Sequence, residues 1–516
     1  MLIVPNKRAV VLKLRDTGAI TTLIPRSKTL KPNLVAVKHG VEEVKILRNL
    51  GVRVPSPILY YYDWPGIFKP FAAQRVTADF LTSHSRAFVL NDLGTGKSLA
   101  TLWAYDYLRG LNLLTSVLVV APLSTMVRTW ADEVFKHFPH LTTSVLYGSR
   151  AKRLKLLAQP ADVYIVNHDG LEIIADALGK RPDINLVVVD EIAQVARNAG
   201  TDRWRLLNVV VNKQCGRSAW GLTGTPTPNA PTDAWAQCRL LVPSQVPPYF
   251  NRFREQLMRQ IGSFLWVPRP EAHQIVKDAM QPSIRFTRDE CVDLPPCLYE
   301  TRDVQLSKEQ DKAYAQMMRQ LMVEVEAGQV LAVNEAVKVS KLVQIACGVV
   351  YDTDGNEAPL DAGSRLQAVL DIVEAADAKV IVFVPFVSAV SLVANYLTGK
   401  HVSVECIHGG VSKNERDRIF KDFQSTNTPR VLVAQPAAMS HGLTLTEAST
   451  IVWYAPVNSN ETFEQANGRI TRPGQKNNQF IVMLEGTPVE RKMYDRLRSK
   501  QKMQGILLSM VKEQRK

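Results

Sequence analysis

The chain has 516 residues, 46% hydrophobic and 22% charged, the balance of a folded globular protein large enough for several cores without disulfide staples. Lys and Arg number 63 against 49 Asp and Glu, a formal charge of +14 that favours an acidic polymer as partner. No apolar run approaches the ~18 residues that span a bilayer, the start lacks a signal-like core, and six cysteines, at 215, 238, 291, 297, 347 and 406, form no C-x-x-C pair, so no membrane or secreted protein is expected and the thiols are expected to be reduced.

Residues 1–60 predict a small accessory domain, with a β-like run Ala9–Leu14 and a helical pattern over Val41–Leu47 that Gly51 and Pro55 end; a protein partner, if there is one, is expected here. The aromatic run Tyr60–Trp64 is expected to pack this domain on its neighbour rather than to stack bases. From 61 to 242 apolar runs at 87–90, 117–120, 163–166, 186–189 and 220–222 alternate with helical patterns, which predicts a parallel sheet covered by helices. Residues 243–350 are rich in proline and then in helical pattern, and read as an insertion or bridging region. A second alternating block over 351–490, with strands at 380–383, 402–405, 431–433 and 450–453, predicts a second α/β lobe, and 491–516 reads as a basic helix.

Two strings carry chemistry. Gly94-Thr95-Gly96-Lys97-Ser98 follows the apolar run Ala87–Leu90 and opens a helix. Such a loop offers backbone N–H groups and a helix N-terminus to a triphosphate, with Lys97 along the β- and γ-phosphates and the Ser98 hydroxyl on Mg²⁺. Asn91 stands where a full phosphate-loop pattern has its first glycine. Asp190-Glu191 closes the run Leu186–Val189, at the strand end where open α/β sheets handle ligands. Asp190 is suited to hold hydrated Mg²⁺ and Glu191 to activate the attacking water. In the second block, Gln465–Gln475 contains Arg469 and Arg472, three apart and so expected on one helical face, fit to neutralise a transferring phosphoryl group.

With these motifs the chain resembles superfamily-2 helicases, most closely their Snf-type branch of helicase-like translocases, over roughly residues 65–500. The resemblance implies two RecA-like lobes in tandem with ATP and Mg²⁺ between them, and DNA as the partner. It implies that Gln74 reads the adenine edge, that Gly94, Thr95, Gly96, Lys97, Ser98 and Gly442 line the nucleotide, and that Arg469 and Arg472 are arginine fingers. It places Pro122 and Ser124, Asn167 and His168, Thr223 of the coupling motif Leu222–Asn229, His408 beside Glu415-Arg416, and Thr444 toward the nucleic acid. The family's Asp-Glu-Ala-His reads Asp190-Glu191-Ile192-Ala193 here, and Thr444 replaces an Asn, departures that bear on coupling. The expectation is a monomeric, cytoplasmic ATP-dependent DNA helicase or translocase of a bacterial or phage-infected cell, with an RNA helicase and a non-hydrolysing nucleic-acid scaffold as the alternatives.

Overall fold

The computed structural model describes residues 1–214, 218–261, 266–291, 295–326, 332–351, 357–439, 445–472 and 475–499. The chain forms two units, Met1–Val292 and Asp293–Lys516.

The first unit begins with a four-stranded antiparallel sheet: β1 (Leu2–Val4), β2 (Ala9–Lys13), β3 (Lys28–Lys31) and β4 (Leu34–Lys38), in the order β1-β2-β4-β3. Alternation along β2 and β4 sends Val10, Leu12, Val35 and Val37 to one face, where Ile20 and Ile24 of one helix and Val44 and Leu47 of another cover them. This module is fastened to the helix Ala72–Ser83. Arg48 grips both oxygens of Asp79 at 2.9 and 3.1 Å and donates to the Ser83 hydroxyl, while the Ser56 amide also donates to Asp79. The aromatic run packs as expected, with Tyr61 bonded to His39, Tyr62 to Asp106, and Trp64 edge-on to Trp103.

The larger sheet of this unit holds β5 (Arg86–Val89), β6 (Ser116–Ala121), β7 (Thr143–Val145), β8 (Val163–Asn167), β9 (Ile184–Asp190), β10 (Ser218–Leu222) and β11 (Ser283–Ile284), all parallel, in the order β11-β5-β10-β9-β6-β8-β7. β6 and β8 are buried along their whole length, as strands with helices on both faces must be. The second unit holds another parallel sheet: β12 (Cys297–Asp303), β13 (Lys379–Phe383), β14 (Val404–Ile407), β15 (Val431–Ala434), β16 (Ala448–Trp453) and β17 (Gln479–Glu485), in the order β12-β17-β16-β13-β15-β14. The two α/β lobes expected from the alternating runs are therefore present.

The segment 243–350 is not one bridging insertion. β11 adds to the edge of the first sheet and β12 to the edge of the second. Three of the prolines that suggest a linker, Pro282, Pro295 and Pro296, stand at the entrances to these edge strands, where a missing N–H costs little. Their carbonyls still pair: Phe88 donates to Pro282 and Gln479 to Pro296. Of the expected C-terminal helix, Pro488–Arg498 is a helix, and residues 500–516 lie outside the described ones.

Candidate nucleotide site and neighbouring loops

β5 leads into a loop whose Gly94 and Gly96 adopt φ of +84° and +73°, a left-handed backbone that glycine enters without strain. Glycine at 96 is also a matter of space, since a Cβ there would stand 2.1 Å from Gln74 Nε2. Gln74 is buried; its Oε1 accepts from the Phe71 amide and its Nε2 donates to the Gly96 carbonyl at 3.4 Å. The Thr95 hydroxyl donates to the Asp92 carbonyl. Lys97 opens the helix Lys97–Gly110, and its buried ammonium donates to the carbonyls of Asn91 at 2.9 Å and Asp92 at 3.1 Å. Ser98 follows, half-buried. Asn91 donates to the Thr77 hydroxyl and accepts from the Phe286 amide, fastening the loop on both sides, work that a glycine has no side chain to do.

Asp190 stands buried at the tip of β9. Its Oδ2 accepts from the Trp130 indole at 2.9 Å, its Oδ1 from the Glu191 amide, and its carbonyl lies 3.1 Å from His168 Nε2. Burial pushes its carboxyl above the ordinary range, opposed by the Trp130 N–H and the Lys97 charge. Glu191 has φ +49° and ψ 50°, a left-handed conformation that costs a non-glycine residue about 1–2 kcal/mol. Such strain marks positions where a side chain must be aimed. The Thr223 hydroxyl donates to Glu191 Oε2 at 3.4 Å, and the Thr225 amide donates to Thr223 Oγ1.

Strand order explains this meeting. β10 lies between β5 and β9, so the turn after it emerges between the phosphate-type loop and the Asp190 tip. A Cβ on Gly224 would lie 3.3 Å from Leu93 and 3.5 Å from the Asn91 carbonyl, so this turn rests on the loop directly. Ala193, where the resemblance expects histidine, is buried.

Three residues expected on a nucleic-acid face are buried. Thr223 is fully buried and turned to Glu191, because β10 is an interior strand. Asn167 is buried and accepts from Arg153 at 3.1 Å. Pro122 is buried and its carbonyl accepts the amide and hydroxyl of Thr125. Ser124 and His168 are partly exposed. Trp130, which the resemblance groups with Ala121–Ser124 at one strand's phosphates, instead donates to Asp190, a contact that sequence reasoning did not give.

In the second unit His408 is partly exposed and its Nδ1 accepts from the Gly410 amide. Arg416 turns inward to the carbonyls of Val411 and Ala438, and Glu415 pairs with Arg418. The helix Asn460–Asn467 stops before both arginines of interest, so they do not share a helical face. Gly468 caps it, and the chain beyond turns irregularly: Arg469 is buried, while Arg472, partly exposed, donates to the Gly468 carbonyl. Gly442 and Thr444 lie outside the described residues.

The donor set of the first lobe fits MgATP. Left-handed glycines leave backbone close to the cradle, one buried ammonium faces it, and a hydroxyl and a buried carboxylate form the hard oxygen set that magnesium takes. Ser98 and Asp190 would hold the ion, and Lys97 the phosphates.

Two family models match the chain. The SNF2-related domain family matches residues 73–347, and the helicase conserved C-terminal domain family matches 364–474. Protein p41 of Acyrthosiphon pisum secondary endosymbiont phage 1 is 26% identical over 468 residues, covering 86% of this chain and 99% of its own. The human DNA annealing helicase and endonuclease ZRANB3 is 24% identical over 454 residues, covering 84% of this chain but 40% of its own, so the chain spans well under half of that relative. The Sulfolobus solfataricus SWI2/SNF2 ATPase core in complex with dsDNA covers 84% of this chain and 92% of its own at 21% identity and a TM-score of 0.41. With one family spanning more than half of its length, the protein belongs to the SNF2-related family and is an ATP hydrolase.

Proposed function

We propose that the protein couples ATP hydrolysis to movement along DNA, duplex or branched. The observation that carries this reading is the cluster at three adjacent strand ends: Lys97 after β5, Thr223 after β10, and Asp190 and Glu191 at β9, with Thr223 bonded to Glu191. In the reaction Lys97 exchanges the Asn91 and Asp92 carbonyls for phosphate oxygens. Glu191, held by the Thr223 hydroxyl, accepts the proton of the attacking water. Asp190 is oriented by Trp130 for its metal, which when bound neutralises charge on the phosphates. Arg469 and Arg472 supply the positive charge that the transferring phosphoryl group requires. Coupling runs through the turn after β10, which touches Glu191 on one side and Leu93 on the other, and does not need the histidine that Ala193 replaces.

The track is assigned to DNA on the family, on the formal charge of +14, and on relatives named for DNA. Contact with phosphates makes binding weaken with salt and depend little on base sequence. The test is phosphate release measured side by side with single-stranded DNA, duplex DNA, forked DNA and RNA. Stimulation by a DNA substrate is expected; stimulation by RNA alone, or by none of the four, overturns the reading.

A further inference from the structure

The N-terminal module takes no part in the nucleotide site, and among the described residues no helix covers one face of its sheet. Helices close the face that carries Val10, Leu12, Val35 and Val37. The register fixes the other face row by row. Lys31 pairs with Leu34 and Leu34 with Lys13; Lys28 pairs with Ala36, Ala36 with Val11 and Val11 with Leu2; Lys38 pairs with Ala9 and Ala9 with Val4. Directly paired residues of an antiparallel sheet share a face, so each of three successive rows holds at least one lysine over small apolar residues. All four lysines are exposed, and none forms an ion pair among the described residues. No acid stands in these rows. Over residues 1–57 eleven Lys or Arg face three acids, Asp16, Glu42 and Glu43, so this small module contributes +8 of the chain's +14. The two glutamates sit in the first turn of the helix Val41–Asn49, and the Glu43 carboxylate lies beside Gly40, near the Lys38 side chain.

We propose that the open face of β1–β4 binds the phosphodiester backbone of the DNA on which the motor acts, as a second grip outside the two lobes. This rests on the DNA reading above. Rows of side chains about 6.6–6.8 Å apart along the strands present ammonium groups at a regular spacing, and the apolar floor of Ala9, Val11 and Ala36 keeps the face flat enough for a nucleic-acid strand to approach. Lysines used as point charges read the backbone and not the bases, so the grip is indifferent to sequence. The module is not a loose arm, because Arg48 and Ser56 tie it to Asp79 of the first lobe.

The test uses the full chain with Lys13→Gln, Lys28→Gln, Lys31→Gln and Lys38→Gln combined. DNA binding is read by fluorescence anisotropy over a salt series, with melting temperature and unstimulated ATP hydrolysis as controls. The expected result is a loss of about tenfold or more in affinity and a salt slope smaller by about 3–4, one for each phosphate contact removed, with both controls unchanged. The same four positions as arginine should retain binding. Lys180, Lys277, Lys400 and Lys421, exposed elsewhere, changed together to glutamine remove the same net charge. An equal loss in that variant, or an unchanged slope in the first, overturns the inference while leaving the motor intact. A wild-type chain that binds no DNA overturns the motor reading instead.

Discussion

In the first lobe Asp190, Glu191 and Thr223 stand at the ends of buried parallel strands and Lys97 at the start of a helix; in the second, Arg469 and Arg472 stand beyond the end of a helix, in irregular chain. The two regions fix their charged groups by different physics. Sheet register places Asp190, Glu191 and Thr223, and the Gly94–Gly96 loop with the helix that follows places Lys97. The arginine segment is placed by side-chain amides: Asn467 accepts from the Trp453 indole at 2.8 Å, and Gln475 donates to the carbonyls of Ala448 and Ile470. The lesson is that strand ends set the carboxylates and Thr223, whereas the arginine segment relies in part on two side-chain amides that single substitutions can remove.

Four experiments break or sharpen that contrast. Arg472→Ala is expected to lower DNA-stimulated phosphate release about 10³-fold, the low end for a charge-stabilising arginine, while DNA binding by anisotropy stays at the wild-type level; wild-type turnover would remove Arg472 from the chemistry. Glu191→Gln keeps the shape and removes the base, and should cost about 10²-fold or more in the same assay. Thr223→Val deletes one hydroxyl from the strand-end set. Loss of a hydrogen bond to a charged group is worth about 1.5–3 kcal/mol, so turnover should fall about tenfold or more with the melting temperature nearly unchanged, and an unaltered rate would show that Glu191 is held by other means. Gln475→Ala attacks an anchor of the second lobe. It takes one donor from the Ala448 carbonyl and one from the Ile470 carbonyl, which keeps the Arg472 amide, and should destabilise by about 1 kcal/mol, seen as a lower melting temperature, with a fall in turnover smaller than that of Arg472→Ala; a stable variant with full activity would refute the anchoring role.

Much of the architecture was legible in the residues because strands buried on both faces carry a central apolar run, as β6, β8, β9, β13 and β15 do. β12, with the sequence Cys-Leu-Tyr-Glu-Thr-Arg-Asp, is an exposed edge strand and shows no such run, which is why its neighbourhood reads as linker. The glycines and Lys97 announced a phosphate cradle through local chemistry. The Thr223–Glu191 contact and the seat of Gly224 on Leu93 did not, since they follow from β10 lying between β5 and β9, and strand order is not written in any short stretch. The arginine pair misled for a simpler reason: spacing by three suggests a helical face only where a helix continues, and Gly468 ends this one.

The fastening of Arg48 and Ser56 to Asp79 gives the small basic module a mechanical address. The helix it grips begins at Ala72, and the first turn of that helix carries Gln74, whose amide reaches Gly96. If the leading sheet holds DNA as proposed, a pull on it would reach the base of the loop around Lys97 through the contacts of Arg48 and Ser56 with this helix.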